Sequence, residues 1–305
     1  MAEIVIAVPT YKRPVALAKL LAALEKLETE DRLIVVVADN DRETHAGYDL
    51  CRSLCANYRW PLDPVIADER GLAQVRNALV ARALSYPGAS AVVMIDDDEW
   101  PSPAWLRELL RVQGETGADI VEGSIVFEGG NLPAAGFDGV SDMRRPTGPL
   151  AMLEGAGNIL ITRVCLERLD APWFDPAFAL SGGEDREFFE RVKASGGRFA
   201  WADDGLAYAA VPERRQSLVW LLRRAYGIGN AEMRIFLKYY TGREARLREY
   251  GKIAAALVLA PLAGLALILS PLRAADAWRR FFRNAGKLAA LMGVHSQPYA
   301  VPHGD

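Results

Sequence analysis

The chain has 305 residues, of which 51% are hydrophobic and 25% charged, and a formal net charge of −3. That length holds one large domain or two small ones with ample core, and the composition excludes a disordered or collagen-like chain. The charge is unevenly spread: residues 213–305 carry 15 Lys+Arg against 6 Asp+Glu, leaving 21 against 33 for residues 1–212. A basic segment beside an acidic body suggests an anionic lipid surface or a phosphate-rich acceptor. Its interleaving with long apolar runs argues against nucleic acid. Cys51, Cys55 and Cys165, with no His or further Cys cluster beside them, read as reduced thiols rather than a zinc site. No signal peptide is expected ahead of the first strand, which begins at Ile4.

Residues 4–8 form a short apolar run that predicts a buried strand, and Pro14 then opens an amphipathic helix through Leu27. Residues 33–38 predict a second buried strand and residues 65–67 a weak third. The stretch 71–84 predicts a helix with Leu72, Val75, Leu79 and Ala83 on one face. Residues 91–95 predict a strand, 103–113 a helix started by a Ser-Pro signal, and 119–127 another strand. This alternation argues for a mostly parallel sheet covered by helices on both faces. Residues 128–149 are rich in Gly and Pro and read as a long loop of the kind that often serves as a lid. A strand is expected at 158–161, a helix at 184–194, and two short strands at 198–201 and 206–211. From Gln216 onward the pattern is helical, which places a domain boundary near residues 212–216.

Asp96-Asp97-Asp98-Glu99 closes the apolar run 91–95. Four carboxylates at the end of a buried strand repel one another and resist desolvation. A hard divalent cation, Mg²⁺ or Mn²⁺, neutralises such a cluster and keeps substrate phosphates as further ligands. Ligands of open α/β sheets bind beyond the carboxyl ends of the strands. The alternative is a solvated acidic turn ahead of the helix start at Pro101 and Pro103. Three more segments fall at strand ends: Pro9-Thr10-Tyr11-Lys12-Arg13 after the first strand, Asp39-Asn40-Asp41 after the second, and Arg76-Asn77 on the helix preceding the acidic strand. Backbone N–H groups at a helix start, a ring face and a carboxylate are the groups a nucleotide needs. Singly, each could equally be a plain turn or a surface ion pair. Glu184-Asp185 after Ser181-Gly182-Gly183 could be ordinary first-turn helix charge or a general base.

The order Val8-Pro9-Thr10-Tyr11-Lys12-Arg13, Asp39-Asn40, Val75-Arg76-Asn77, Asp96-Asp97-Asp98 resembles the family 2 glycosyltransferases of the GT-A fold. Gly155-Ala156-Gly157-Asn158 and Gly182-Gly183-Glu184-Asp185-Arg186 resemble that family's acceptor-side motifs. The likeness spans about residues 4–211 and is nearest to bacterial exopolysaccharide enzymes of the succinoglycan type. It implies an α/β nucleotide-diphospho-sugar transferase fold, with a donor half at about 1–100, an acceptor half at about 101–212, and a basic, helical, membrane-associating region at 213–305. It implies that Pro9, Thr10, Tyr11, Arg13 and Asp39 hold the base and ribose, that Arg76 and Asn77 approach the diphosphate, and that Asp96 and Asp97 contact the donor. Asp98, with Asp96, would bind Mg²⁺ or Mn²⁺. Asp185, paired with Glu184, would be the base of an inverting transfer, and Asn158 and Gly157 would line the acceptor cleft. The donor would be a nucleotide-diphosphate sugar, UDP-linked by expectation, and the acceptor a lipid-linked or other glycan at the cytoplasmic face of the inner membrane. A polyprenyl-phosphate sugar synthase and a non-catalytic nucleotide-sugar-binding subunit remain the alternatives.

Departures from the family pattern also carry weight. Processive relatives carry Gln-x-x-Arg-Trp, whereas Gln216-Ser217-Leu218-Val219-Trp220 lacks the arginine, which favours single addition. Arg214, Arg215, Arg223 and Arg224 could grip acceptor phosphates or lipid headgroups. Residues 253–272 hold no charge over twenty residues and are bounded by Lys252 and Arg273. That length just reaches a membrane span, yet Pro261, Gly264 and Pro271 suit a hairpin or an interfacial helix as well, and a core helix is a third possibility.

Overall fold

The computed structural model describes residues 2–128, 144–210 and 217–298. Its centre is one twisted sheet flanked by helices. Strands β1 (Glu3–Thr10), β2 (Arg32–Asp39), β3 (Leu62–Ile66) and β4 (Ala89–Ile95) run parallel in the order β3-β2-β1-β4. Strands buried on both faces read as unbroken apolar runs, and β1 and β2 are buried nearly end to end. Successive side chains of β1 point to opposite faces, so Ile4, Ile6 and Val8 enter one core while Val5 and Ala7 enter the other.

The first core is closed by helices α1 (Pro14–Leu24) and α4 (Trp105–Thr116), the second by α3 (Leu72–Leu84) and α6 (Glu184–Ala194). On α1 the buried residues are Leu17, Leu20, Leu21 and Leu24, the i, i+3, i+4, i+7 stripe of a helix on a sheet, and Pro14 stands in the first turn. Helix α2 (Ala46–Leu54) has no expectation in the sequence. Only Gly47 and Cys51 are buried on it, too thin a stripe for periodicity to reveal. It is held instead by Asp39, which accepts a hydrogen bond from the Tyr48 amide at 2.9 Å.

Beyond β4 the sheet becomes mixed. β8 (Asn158–Thr162) is antiparallel to both β4 and β6 (Ile120–Glu128), and β9 (Phe199–Ala210) runs parallel to β6. Short β5 (Glu99–Pro101) and β7 (Gly148–Leu150) pair with β9, and the small helix α5 (Arg163–Glu167) follows β8. The two strands expected at 198–201 and 206–211 are one strand here. Both halves pair with β6, and the ladder shifts between Gly123 and Ile125, where Ser124 Oγ donates to Asp203 Oδ1 at 2.9 Å. The insertion Asp203-Asp204-Gly205 mimics a turn in the sequence but is absorbed as a bulge. Residues 129–143 of the expected lid loop and the expected boundary at 212–216 lie outside the described residues.

Helices α7 (Leu218–Tyr239), α8 (Arg243–Ala266) and α9 (Pro271–Leu291) follow. Helix α7 lies behind α6: a Cβ on Gly183, whose φ is +90°, would stand 2.8 Å from the Ala231 Cβ. Arg234 donates to Ser181 Oγ at 2.7 Å and to the Ala177 carbonyl at 2.6 Å. Lys238 and the Tyr239 hydroxyl both reach the carboxylate of Glu187, which is fully buried.

Candidate active site

The parallel register delivers the expected segments to one edge. Thr10 at the end of β1 pairs with Asp39 at the end of β2, and Ala7 pairs with Met94 on β4, so the acidic turn opens beside both. Each of its three aspartates has a defined partner. Asp96 takes Arg76 at 3.1 Å. Asp97 accepts from the Thr10 hydroxyl at 2.8 Å and from Arg13 at 3.1 Å, and Asp98 accepts from Arg13 at 2.9 Å. Arg13 is thus the counter-ion of the turn rather than an open donor contact. Burial pushes the Asp97 carboxyl up to about 7, with Arg13 opposing and Asp98 adding to the rise. Glu99, also buried, is held well above the usual carboxylate range by burial and by its neighbours Asp96 and Asp98.

Arg76 is the hub of the site. It is 5% exposed and donates to the Ala156 carbonyl at 2.8 Å while pairing with Asp96, and its Nε stands 3.5 Å from Glu184. One guanidinium therefore joins the end of β4, the 155–157 turn and the start of α6. That turn faces the acidic groups on both sides. A Cβ on Gly157 would lie 2.9 Å from Glu99 Oε1 and 3.0 Å from Asp96 Oδ2, and one on Gly155 would lie 3.9 Å from Asp185 Oδ2. Any side chain at 157 would invade the carboxylates, which is why glycine stands there. Burial pushes the carboxyls of both Glu184 and Asp185 up, with Arg76 pulling them back. Glu184 Oε2, Glu99 Oε2 and Arg76 Nε carry no hydrogen bond among the described residues.

Several expected contacts are spent on architecture instead. Asn77 donates to the Phe174 carbonyl at 2.7 Å and accepts from the Phe174 amide at 2.8 Å, so its amide clasps a loop. Asn158 is 1% exposed. It donates to the carbonyls of Ser124 and Gly205 and accepts from Trp105 Nε1, so it knits β8 to β6 and β9 rather than lining a cleft. Asp97 and the Thr10 hydroxyl are buried against each other. Asp39 is buried and accepts from the amides of Asp41 and Tyr48, which leaves part of its lone-pair capacity open. Pro9 is buried, whereas the Tyr11 ring is partly exposed with the Arg70 guanidinium 5.3 Å from its centroid. Asp98 and Asp96 remain about one-third exposed at their side chains, 32% and 34%.

The sequence reading misses Glu122 and gives Asn40 no role beyond its place in a strand-end segment. Asn40 donates to the carbonyls of Ala67 and Glu69 and accepts from the Gly71 amide, which shapes the loop ahead of α3. Glu122 accepts from the amides of Glu154 and Gly155 at 3.0 and 3.2 Å, which fixes the turn that faces Asp185, and burial pushes its carboxyl up to about 8. A glutamate inside the apolar run of β6 was the available signal.

The donor set suits one class of cation. Among the described residues no group of three His, Cys, Asp or Glu side chains could hold a metal ion alone. Two partly exposed carboxylates, Asp96 and Asp98, fit a Mg²⁺ or Mn²⁺ that takes its remaining ligands from substrate phosphates and water, and do not fit a closed protein cage.

Comparison with known proteins bears on the family and the fold. Succinoglycan biosynthesis protein ExoM of Rhizobium meliloti (strain 1021) is 30% identical over 311 residues, covering 95% of this chain and 93% of that protein. The mannosyltransferase PcManGT of Pyrobaculum calidifontis, solved in complex with GDP-Man and Mn2+, superposes with a TM-score of 0.58 at 19% identity over 97% of this chain and 77% of its own. Residues 1–349 of S. aureus TarS superpose with a TM-score of 0.54 at 18% identity over 96% of this chain and 92% of theirs. Both share the fold. Residues 5–148 match glycosyl transferase family 2, and with the ExoM likeness running the length of the chain, the protein belongs to that family and is a glycosyltransferase.

Proposed function

We propose that the protein moves one sugar from a nucleotide-diphosphate sugar, UDP-linked by expectation, to a lipid-linked or other glycan acceptor in exopolysaccharide synthesis. The transfer inverts the anomeric centre and takes place at the cytoplasmic face of the inner membrane. Residues 1–212 act as the catalytic domain and 213–305 as its membrane-associated region. One observation carries the reading: Arg76 ties Asp96, the 155–157 turn and Glu184 into one constellation, so donor-side and acceptor-side acids flank a single glycine turn. Relatives in fold solved with UDP, UDP-GlcNAc and GDP-Man support a nucleotide-sugar donor.

In this scheme Tyr11 and Asp39 hold the base and ribose, and Asp96 and Asp98 hold Mg²⁺ or Mn²⁺. The cation supplies Lewis-acid stabilisation of the departing diphosphate. Asp185 takes the proton of the acceptor hydroxyl, whose oxygen bonds to the anomeric carbon as the carbon–oxygen bond to the nucleoside diphosphate breaks on the opposite face. Asp185 is the better placed of the acidic pair, since it keeps an exposed edge and Glu184 is buried against Arg76. A base raised toward neutrality is matched to its task. The buried unpaired oxygens of Glu99 and Glu184 would find partners in sugar hydroxyls.

The test is a screen of nucleotide sugars for hydrolysis and transfer with Mn²⁺ or Mg²⁺. One donor should turn over in a metal-dependent way. Asp98→Ala should lower metal-dependent donor affinity at least about tenfold while leaving the melting temperature near wild type. Unchanged metal-dependent affinity in that variant removes Asp98 from the site.

A further inference from the structure

On α8 the large apolar side chains turn outward. Val258, Leu262 and Leu265 form one stripe at spacings of four and three, and they are 61%, 59% and 61% exposed. Leu259 widens it at 62%, and Ile268 and Leu269 in the turn that follows α8 continue the apolar surface at 69% and 96%. Exposed stripes of this kind mark a partner or a membrane. The opposite side of α8 is the packed one: Ile253, Ala260 and Gly264 are buried, and a Cβ on Gly264 would stand 2.7 Å from Trp278 Nε1 of α9.

By length and composition the whole of α8 could cross a membrane, but the extent of its uncharged part argues against a crossing. The uncharged part of α8, residues 253–266, extends only about 21 Å at 1.5 Å per residue, against about 30 Å of hydrocarbon. The remaining uncharged residues do not prolong the helix. The chain turns, with the Ile268 amide bonded to the Leu265 carbonyl and the Ser270 amide to the Leu267 carbonyl, and α9 returns along α8. Gly264 packs on Trp278, so the α9 charges Arg273, Asp276 and Arg280 run past the apolar end of α8 at the same height. Asp276 is paired with Arg279 at 2.7 Å and with Arg280 at 3.0 Å. Further along, α9 is locked to α7: a Cβ on Gly229 would overlap the Arg283 carbonyl oxygen, and one on Gly286 would overlap that of Tyr226. Helix α7 is in turn tied to α6. Both ends of the hairpin therefore stay on the side of the catalytic sheet.

Resting on the membrane reading above, we propose that the α8–α9 hairpin is a monotopic anchor: its stripe sinks into one leaflet of an anionic phospholipid bilayer and does not cross it. The charge pattern selects that occupant. Arg248 and Lys252 precede the stripe and Arg273 and Arg280 follow it, all four exposed; Arg248, Lys252 and Arg280 reach Glu244, Glu249 and Asp276 at 3.0–3.5 Å, and the bases outnumber these acids, which suits anionic headgroups. A second protein copy would need acidic groups opposite these bases, whereas the sequence around the stripe supplies mostly more arginine.

The full chain is mixed with vesicles of phosphatidylcholine and phosphatidylglycerol at 7:3, and with phosphatidylcholine alone. Binding should be at least about tenfold tighter to the anionic vesicles. The double variant Leu262→Asp/Leu265→Asp should lose about tenfold or more while keeping wild-type nucleotide-sugar hydrolysis in solution. Topology is read with Leu269→Cys in a Cys55→Ser background, Cys51 and Cys165 being buried thiols. A membrane-impermeant maleimide should label that cysteine readily without vesicles, and from neither side once the protein is bound. Labelling by maleimide trapped inside the vesicles means a crossing and overturns the proposal alone. Undiminished labelling from outside means the stripe does not insert, and it overturns the anchor in the same way. Absence of binding to either vesicle overturns both the anchor and the membrane reading, as does a wild-type dimer that the double variant converts to monomer.

Discussion

Val93 and Leu109, between the sheet and α4, have no exposed surface, whereas Leu262 and Leu265 on α8 are 59% and 61% exposed. The sheet has a broad core on each face, while the described core of the outer helices centres on Met233, Ile253 and Ala290. The inner region places chemistry and needs rigidity, so its apolar residues face each other, and Arg13 and Arg76 neutralise the aspartates at the strand ends. The outer region is joined to it by polar clamps such as Lys238 on Glu187, and turns its apolar residues outward. The same residue type thus means core in one region and exposed surface in the other, and burial alone separates them.

The contrast between the two regions can be broken at several points. The largest effect is expected inside the site. Asp185→Asn should keep donor binding and lower turnover by about 10²-fold or more, measured as kcat with a saturating donor, and near-normal turnover would move the base elsewhere. Next come the two leucines. Leu109→Ala should cost about 2–5 kcal/mol in denaturant unfolding. Leu262→Ala should change stability by less than about 0.5 kcal/mol. Similar losses at both positions would mean that the α8 stripe is covered in solution.

The clamp between the regions comes third. Lys238→Ala leaves the buried Glu187 carboxylate with fewer donors and should cost about 1–3 kcal/mol, with proteolysis of α7 rising before the sheet unfolds. The smallest effect at any single pH step is a pH slope, about 1.4 kcal/mol per pH unit at most. Burial raises the Glu122 carboxyl to about 8 in the folded chain, above its unfolded value, so the folded state binds the extra proton. Its contribution is full below about 4.5 and is lost as pH rises toward 8. Glu122→Gln should flatten the decline of melting temperature between about pH 5 and 8. An unchanged slope would assign the decline to other groups.

Much of the inner region was legible in the residues. Unbroken apolar runs such as 4–8 and 91–95 announce strands buried on both faces, and the leucines at 17, 20, 21 and 24 announce the stripe of α1. Asp96 stands out because carboxylates closing an apolar run need a reason, whereas Glu184 after Ser181-Gly182-Gly183 is marked only by the family resemblance. Asn77 and Asn158 look equally suited to a ligand in the sequence. Both are consumed by backbone partners 97 and 34 or more residues away, which no local pattern reveals. Helix α2 is missed for a related reason, since a side chain from β2 and not its own stripe holds it.

The sequence by itself determined the alternation of strand and helix, the acidic strand end and the basic, apolar character of the residues from 213 onward, because periodicity and charge are local properties. Only the tertiary structure decided which acids Arg13 and Arg76 neutralise, which asparagines are architecture, and that the uncharged run 253–272 bends back on itself. Those outcomes depend on which distant groups satisfy a buried polar atom or cover an apolar one, and that is settled only when the elements pack.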